Sequence, residues 1–252
     1  MNRISKSRQR LVRRLDSRRA REREGLAMVE GPRVILEALW SAVDVRWVLV
    51  GEDYSAGQPG RAIVSGCAGR GVETGFVRDE DVRDLCTSDA PVPVLACVRP
   101  PPLEKRPLER GRYLMAIGVQ IPGNLGTLIR SAWGFGLDGV VIGRGTVDPW
   151  NAKVVRASAG AVFHVPLIAP GGVGSATVLH ADTEGAPVDT VEEASARNWV
   201  LVVGNEVRGI PLSEENPGRA ISVPQAEGVD SLNVAVAGSI LMYVLTRPGR
   251  GA

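Results

Sequence analysis

The chain is poor in the residues that build metal centres. Its two histidines, His164 and His180, and three cysteines, Cys67, Cys86 and Cys97, share no CxxC or comparable ligand spacing. A zinc site would need partners the sequence does not supply, so the thiols read as buried free cysteines and no metal is expected. No window holds the roughly 18 apolar residues that a membrane-spanning helix needs. The N-terminus has no apolar signal core, and Asp16, Glu22 and Glu24 count against a mitochondrial presequence. The expected location is the cytoplasm, with no membrane partner.

What is present is a globular composition: 252 residues, 44% hydrophobic and 23% charged, enough for one large domain or two small ones. Only three of the thirty basic residues are lysines, and arginine's planar fork suits phosphate. The net charge of +2 conceals an uneven distribution. Residues 1–24 carry nine arginines and one lysine against three acids. Leu11 and Leu15 lie four apart among them, which predicts a basic helix with one thin apolar stripe. Such a helix is a solvated element docked by its stripe, a contact for nucleic-acid phosphates, or a membrane-surface element; the meagre apolar face disfavours the last. Arg8, Arg10, Arg13 and Arg14 are the candidate phosphate contacts.

Beyond this segment, Val34, Ile35, Ala38 and Leu39 recur at helical spacing and "VRWVLV" reads as a strand. A further helix and strand are expected in "GRAIVSGCAGRGVETGFV", a short helix in "RDEDVRDLC" and a strand in "VPVLACV". Four prolines in "RPPPLEKRPLERG" mark a connector. From Arg112 onward, near-continuous apolar strands alternate with helical segments, as a parallel sheet covered on both faces requires. "AVFHVPLI" is expected to be one of these strands, with His164 a strand residue. "SLNVAVAGSILMYVLTR" reads as a buried helix with Ser231 as its N-cap. The expected layout is a basic N-terminal helix or extension over 1–24, a small α/β domain over 25–99, a linker over 100–111 and an α/β domain over 112–252.

Three polar loops follow the apolar runs of that last domain. In "QIPGNLGTLIRSAWGFG" the glycines stand three apart, so the dinucleotide pattern GxGxxG is missing, as is the Lys-Ser/Thr pair of a phosphate-binding P-loop. Gly123 and Gly126 before a helix starting near Thr127 fit an anion loop, a cofactor loop or a plain turn. "VVGNEVRGIP" places Gly204 and Glu206 just after a strand, where open α/β sheets collect ligands. "ISVPQAEGVDSLNVAV" places Ser231 and Asn233 at the mouth of the last helix. Each loop alone is ambiguous.

In combination, "PGNLGTLIRSAWGFG", "VDPWNAKVVRASAGAVFHVP", "LVVGNEVRGIPL" and "SLNVAVAGSILMYVLTR" resemble the TrmH/SpoU-type RNA 2′-O-ribose methyltransferases. The likeness covers about residues 112 to 247. "GLAMVEGPRVILEAL" is similar to the start of the small L30e-like RNA-binding domain of many ribosomal-RNA members. The resemblance implies a C-terminal, mostly parallel α/β sheet domain with a deep trefoil knot, S-adenosylmethionine as cofactor, a homodimer, and ribosomal RNA as partner.

It also implies roles for matching residues. Arg130 and Asn124 would act around the substrate ribose and phosphate, with Ser231 and Asn233 beside the donor methyl. Gly204, Glu206, Val223 and Leu232 would hold the cofactor. Lys153 and Arg156 would meet RNA phosphates or lie in the dimer interface. Ile121 stands where an acid often precedes the family's Pro-Gly-Asn, and Gln225 where a methionine commonly follows the third motif's proline. The expected activity is methyl transfer from S-adenosylmethionine to a ribose 2′-hydroxyl of ribosomal RNA. A transfer-RNA methyltransferase and a noncatalytic RNA-binding protein of the same fold are the alternatives.

Overall fold

The structure, a computed structural model, describes residues 4–108, 110–191, 198–204, 218–228 and 230–247. The chain divides into two compact units: residues 1–102 with 148–164, and residues 103–147 with 165–252. The basic leader is part of the first unit rather than an extension. The segment 148–164, expected with the last domain, also clusters with the first unit because its polar groups are anchored there.

In the first unit, the leader forms two helices, α1 (Lys6–Arg14) and α2 (Arg18–Glu24), instead of one. Ser5 and Ser17 cap them, each accepting a hydrogen bond from a first-turn N–H, so the break falls at the second cap. A mixed four-stranded sheet follows, ordered β1 (Ala27–Glu30), β4 (Val94–Arg99), β2 (Asp44–Gly51), β3 (Glu73–Val77). Only β2 and β3 pair in parallel; β4 runs antiparallel to both its neighbours. Ile4, Val12 and Leu15 pack with Met28, Trp47, Leu49, Leu95 and Cys97. Burying such side chains contributes about 1.5–3 kcal/mol each, against about 0–1 kcal/mol for an exposed ion pair. The leader is therefore docked by its apolar residues. Helices α3 (Pro32–Trp40), α4 (Glu52–Ser55), α5 (Gln58–Arg70), α6 (Asp79–Arg83) and, from the segment 148–164, α8 (Ala152–Ala157) complete this part.

The second unit holds a six-stranded sheet in which every pairing is parallel. Its order is β10 (Arg219–Ser222), β8 (Thr177–Pro187), β9 (Trp199–Val203), β5 (Arg112–Ala116), β6 (Gly139–Ile142), β7 (Leu167–Ile168). Between the two stretches that pair with β10, β8 bulges over Ala181–Gly185. A Cβ on Gly185 would lie 2.5 Å from the Ile221 backbone nitrogen, so the strand crosses β10 there only as glycine. One sheet face is covered by α7 (Pro122–Gly134) and α9 (Val234–Thr246), which pack on each other. Gly238 permits that approach: a Cβ there would meet Leu128 Cδ2 at 2.7 Å and Val203 Cγ1 at 3.3 Å. The proline-rich linker is not a free tether. Glu104 donates its N–H to the Leu167 carbonyl (2.8 Å) and accepts from the Ala169 N–H (2.9 Å), joining the sheet edge, and Leu108 enters the core.

Two local expectations are corrected. "PGNLG" is the first turn of α7, not a loop ahead of a helix at Thr127: Pro122 occupies the first helical position, where a missing N–H costs nothing. "AVFHVPLI" is not a strand. Ala161–Phe163 is a 3-10 turn entered through Gly160 at φ +92°, His164 closes it, and only Leu167–Ile168 joins the sheet.

Candidate active site

Because the second unit's sheet is wholly parallel, all its strands end on one edge. At that edge β5 leads to α7, β9 leads to Gly204, and β10 leads to Val223. Polar backbone collects there as in other open α/β sheets. Beyond the β5 end, Gly118 N–H bonds to the Arg144 carbonyl (3.0 Å) and Val147 N–H to the Val119 carbonyl (2.9 Å), which steadies the segment entering α7.

The last helix completes the edge through one side-chain contact. Asn233 Nδ2 donates to Asn124 Oδ1 at 3.0 Å, tying the start of α9 to the first turn of α7. Asn233 Oδ1 meanwhile accepts from the N–H groups of Ala235 (2.9 Å) and Val236 (3.3 Å). Asn233 is therefore the N-cap of α9, in place of Ser231, which is exposed two residues earlier. An asparagine suits both tasks at once, since its amide has an acceptor for the cap and a donor to spare. Two turns along, Ser131 and Ser239 hydroxyls lie 2.7 Å apart, a second polar tie between the same helices. The spacing of seven residues between Asn124 and Ser131 was visible in the sequence; its partner on α9 was not.

Arg130 lies elsewhere on α7. By helical period it shares an exposed stripe with Gly123, Thr127 and Gly134, roughly a third of a turn from the Asn124–Ser131 line. Among the described residues it makes no ion pair or hydrogen bond. The sequence thus names one group that the structure brings together, Asn124 with Asn233, and one that stays apart on the solvent side. Val223 and Leu232 are half-buried at the same edge as Gly204. Glu206 lies outside the described residues. Gln225, in the turn after β10, has a buried side-chain oxygen without a hydrogen-bond partner among the described residues.

The basic residues of the first unit sort differently from the expectation. Arg8 is bound to Glu73 at 2.8 Å and stacks 4.9 Å from the Trp47 ring centre. Arg156 donates to Glu30 at 3.1 Å; Glu30, only 3% exposed, also accepts from the Thr87 N–H and hydroxyl at 2.8 Å each. Arg156 is therefore anchored on a buried acid, whereas the Glu73 that pairs with Arg8 is exposed. Arg10, Arg13, Arg14 and Lys153 carry no such buried acid; Lys153 contributes its backbone N–H to the Asn151 cap. Arg21, unremarked among its neighbours in the sequence, is buried against Asp148 at 2.7 Å. The His164 ring lies 3.0 Å from Glu37, so it too is a tie within this unit. Burial pushes the thiols of Cys86 and Cys97 up to about 12, which keeps them inert. No group of His, Cys, Asp and Glu among the described residues could hold a metal ion.

An all-parallel sheet with its strand ends closed by two helix N-termini defines an α/β protein of the open-sheet kind, the kind that binds ligands beyond its strand ends. The comparisons identify which kind. The chain belongs to the SpoU rRNA methylase family, whose model matches residues 111–243, and a model of the MRM3-like substrate binding domain matches residues 6–96. Over 244 residues it is 31% identical to the 23S rRNA (guanosine(2553)-2′-O)-methyltransferase RlmP of Bacillus subtilis, covering 92% of each chain. A structure from Porphyromonas gingivalis assigned to the TrmH family of RNA methyltransferases is similar at TM-score 0.81 and 28% identity, over 97% of this chain and 98% of that one. The fold is also that of an AdoMet-bound rRNA methyltransferase from Sinorhizobium meliloti, at TM-score 0.80 and 23% identity over 97% and 96% of the two chains.

Proposed function

We propose that this protein transfers a methyl group from S-adenosylmethionine to the 2′-hydroxyl of a ribose in ribosomal RNA. The observation that carries the reading is the Asn124–Asn233 hydrogen bond, which assembles two of the family's polar motifs at the strand-end edge of a SpoU-family sheet. The RlmP relative, similar along nearly its whole length, is a 23S rRNA ribose methyltransferase by name, which favours ribosomal over transfer RNA.

The residues present fit the cofactor. Gly204, Val223 and Leu232 bring backbone groups to one edge, and the orphaned Gln225 oxygen is an acceptor facing no protein donor among the described residues. Glu206 belongs to this proposed set. When bound, S-adenosylmethionine supplies a methyl group activated by its sulfonium. This chain's own part is to align the hydroxyl and to hold developing negative charge. Asn124, Asn233 and Ser231 orient the ribose. Arg130 has five N–H donors and no acceptor; it clamps the neighbouring phosphate and stabilises the alkoxide. The phosphate or an ordered water takes the proton.

A homodimer belongs to the same reading. Val236, Ile240 and Tyr243 form an exposed stripe on α9, and Ile121 and Trp133 add exposed apolar area at the two ends of α7. Paired helix faces of this kind support a second copy as occupant, and in this reading residues of both subunits build one reaction centre. The deep trefoil knot and the L30e-like character of the first unit complete the proposal, supported by the family match, with the cytoplasm as the proposed location. No helix among the described residues is long and apolar enough to cross a membrane.

The test is labelled methyl transfer from S-adenosylmethionine to stripped ribosomal RNA and to bulk transfer RNA, with ribose mapping of the product. Incorporation at a ribose of ribosomal RNA is expected. Label in transfer RNA alone would reassign the substrate, and RNA binding without incorporation would make the protein a noncatalytic binder.

A further inference from the structure

The nine arginines of residues 1–24 are not equivalent once folded. Arg8 is bound by Glu73 and Trp47, and Arg18 by Glu22 at 2.8 Å. Arg21 is 6% exposed. Four others, Arg13, Arg14, Arg19 and Arg23, line an open cleft of about 350 Å³ between α1 and α2. Two acids temper it: Asp16 lines the same cleft, and Glu24 reaches Arg23 at 2.9 Å and Arg14 at 3.6 Å. Arg13 and Arg19 have no ion pair or hydrogen bond among the described residues. Four guanidinium groups against two carboxylates leave a cationic cleft whose members repel one another unless an anion enters.

The gathering is enforced. The turn between the helices, Leu15 and Asp16, is held by Arg21, which donates to the Leu15 carbonyl (2.9 Å), the Asp16 carbonyl (2.7 Å) and Asp148 Oδ2 (2.7 Å). Leu15 is itself buried, and Ser17 caps α2 immediately after. The planar five-donor fork of arginine meets all three acceptors, which a lysine could not do in this geometry. One buried arginine thus fixes the angle from which four exposed ones project.

We propose that this cleft is a binding site for the phosphate backbone of RNA, with Arg13, Arg14, Arg19 and Arg23 as its contacts and Arg21 with Asp148 as its positioning pair. The proposal rests on the reading of RNA as substrate, and extends it to a site remote in sequence from the methyl-transfer motifs. A prearranged set of forks binds phosphate with less ordering cost than flexible arginines. A lipid surface is the poorer fit, because among the described residues α1 and α2 expose no large apolar side chain to insert.

The test uses the full chain and a labelled mixed-sequence RNA stem-loop, titrated over a series of salt concentrations. Arg13→Ala with Arg19→Ala is expected to weaken binding about tenfold or more at low salt. It should also lower the slope of log affinity against log salt by about two, close to one for each arginine–phosphate pairing removed. The corresponding double lysine variant should keep most of the slope. Both residues are exposed, so folding is not at stake, and unchanged affinity and slope in the alanine variant would overturn the proposal. Binding to phosphatidylserine vesicles in place of RNA would overturn it equally. Asp148→Asn makes the chain more positive, yet the positioning role predicts weaker RNA binding in the variant shown by circular dichroism to be folded. Tighter or equal binding would remove Asp148 from the site, and an unfolded variant leaves the alanine pair to decide. Methyl transfer by the wild-type chain is scored separately. Transfer with a cleft-independent salt slope sinks only the cleft, and cleft-dependent binding without transfer sinks only the methyltransferase reading.

Discussion

The two units use their charged and polar residues in opposite ways. In the first, Arg21–Asp148, Arg156–Glu30 and His164–Glu37 are turned inward, where they hold segments far apart in the chain. In the second, Asn124 and Asn233 hold each other at the strand-end edge while Arg130 projects into solvent without a partner among the described residues. A buried charge must be paired because desolvation is costly. An exposed unpaired one costs little and stays available. Arginines of identical chemistry therefore divide into paired anchors, such as Arg21 and Arg156, and solvent-facing groups unpaired among the described residues, such as Arg130.

The sharpest way to break that contrast is to delete a charge from the scaffold. Asp148→Ala strands the buried Arg21 guanidinium, and we expect a loss of about 3 kcal/mol, the lower end for a broken buried pair because two carbonyls still accept from Arg21. The midpoint of urea unfolding reads this directly. Arg130→Ala should do the reverse. The unfolding midpoint should stay where it is, with methyl transfer down by about 10²–10³ as for loss of one charge-stabilising donor. S-adenosylmethionine affinity should be nearly unchanged, and normal turnover would remove Arg130 from the reaction.

Asn233 lies between these extremes, since it both caps a helix and links two motifs. Asn233→Ala should cost about 1 kcal/mol in stability together with a loss of transfer. Asn233→Ser retains a capping oxygen but not the amide donor to Asn124, so it should recover the stability and not the transfer. Recovery of both would reduce the Asn124 contact to a by-product of capping.

The last effect is confined to the alkaline side. Burial raises the Cys86 and Cys97 thiols from about 9 to about 12. Unfolded thiols lose their protons first, so stability from this source is complete below pH 9 and declines as pH rises toward 12. Cys97→Ala should flatten that decline, as followed by thermal unfolding across the range.

Much of this was legible before folding, and the reasons for the exceptions are physical. Strands β5, β6, β8 and β9 announced themselves because burial on both faces demands apolar runs, whereas β10, a four-residue edge strand only half of which is buried, did not. Pro122 and the two glycines concealed a helix start, since the same residues serve a turn and a first helical turn equally well. The cap of α9 was misplaced by two residues because Ser231 and Asn233 are both good capping types, and only the contact with Asn124 selects one. The "AVFHVPLI" run failed as a strand because its apolar residues face a core from a 3-10 turn, where period alone does not discriminate. Arg21 was invisible: nothing in "SRRARERE" distinguishes the arginine that will be buried.

By itself, the sequence determined the periodic pattern of apolar residues, the excess charge of the leader and the ordered motifs that mark the family. Those are local or additive properties, readable without coordinates. Only the tertiary structure decided which arginines are anchors and which are contacts, which asparagine caps α9, and that residues 148–164 fold with the first unit. Each of those outcomes depends on a partner distant in the chain, and on the desolvation that partner imposes.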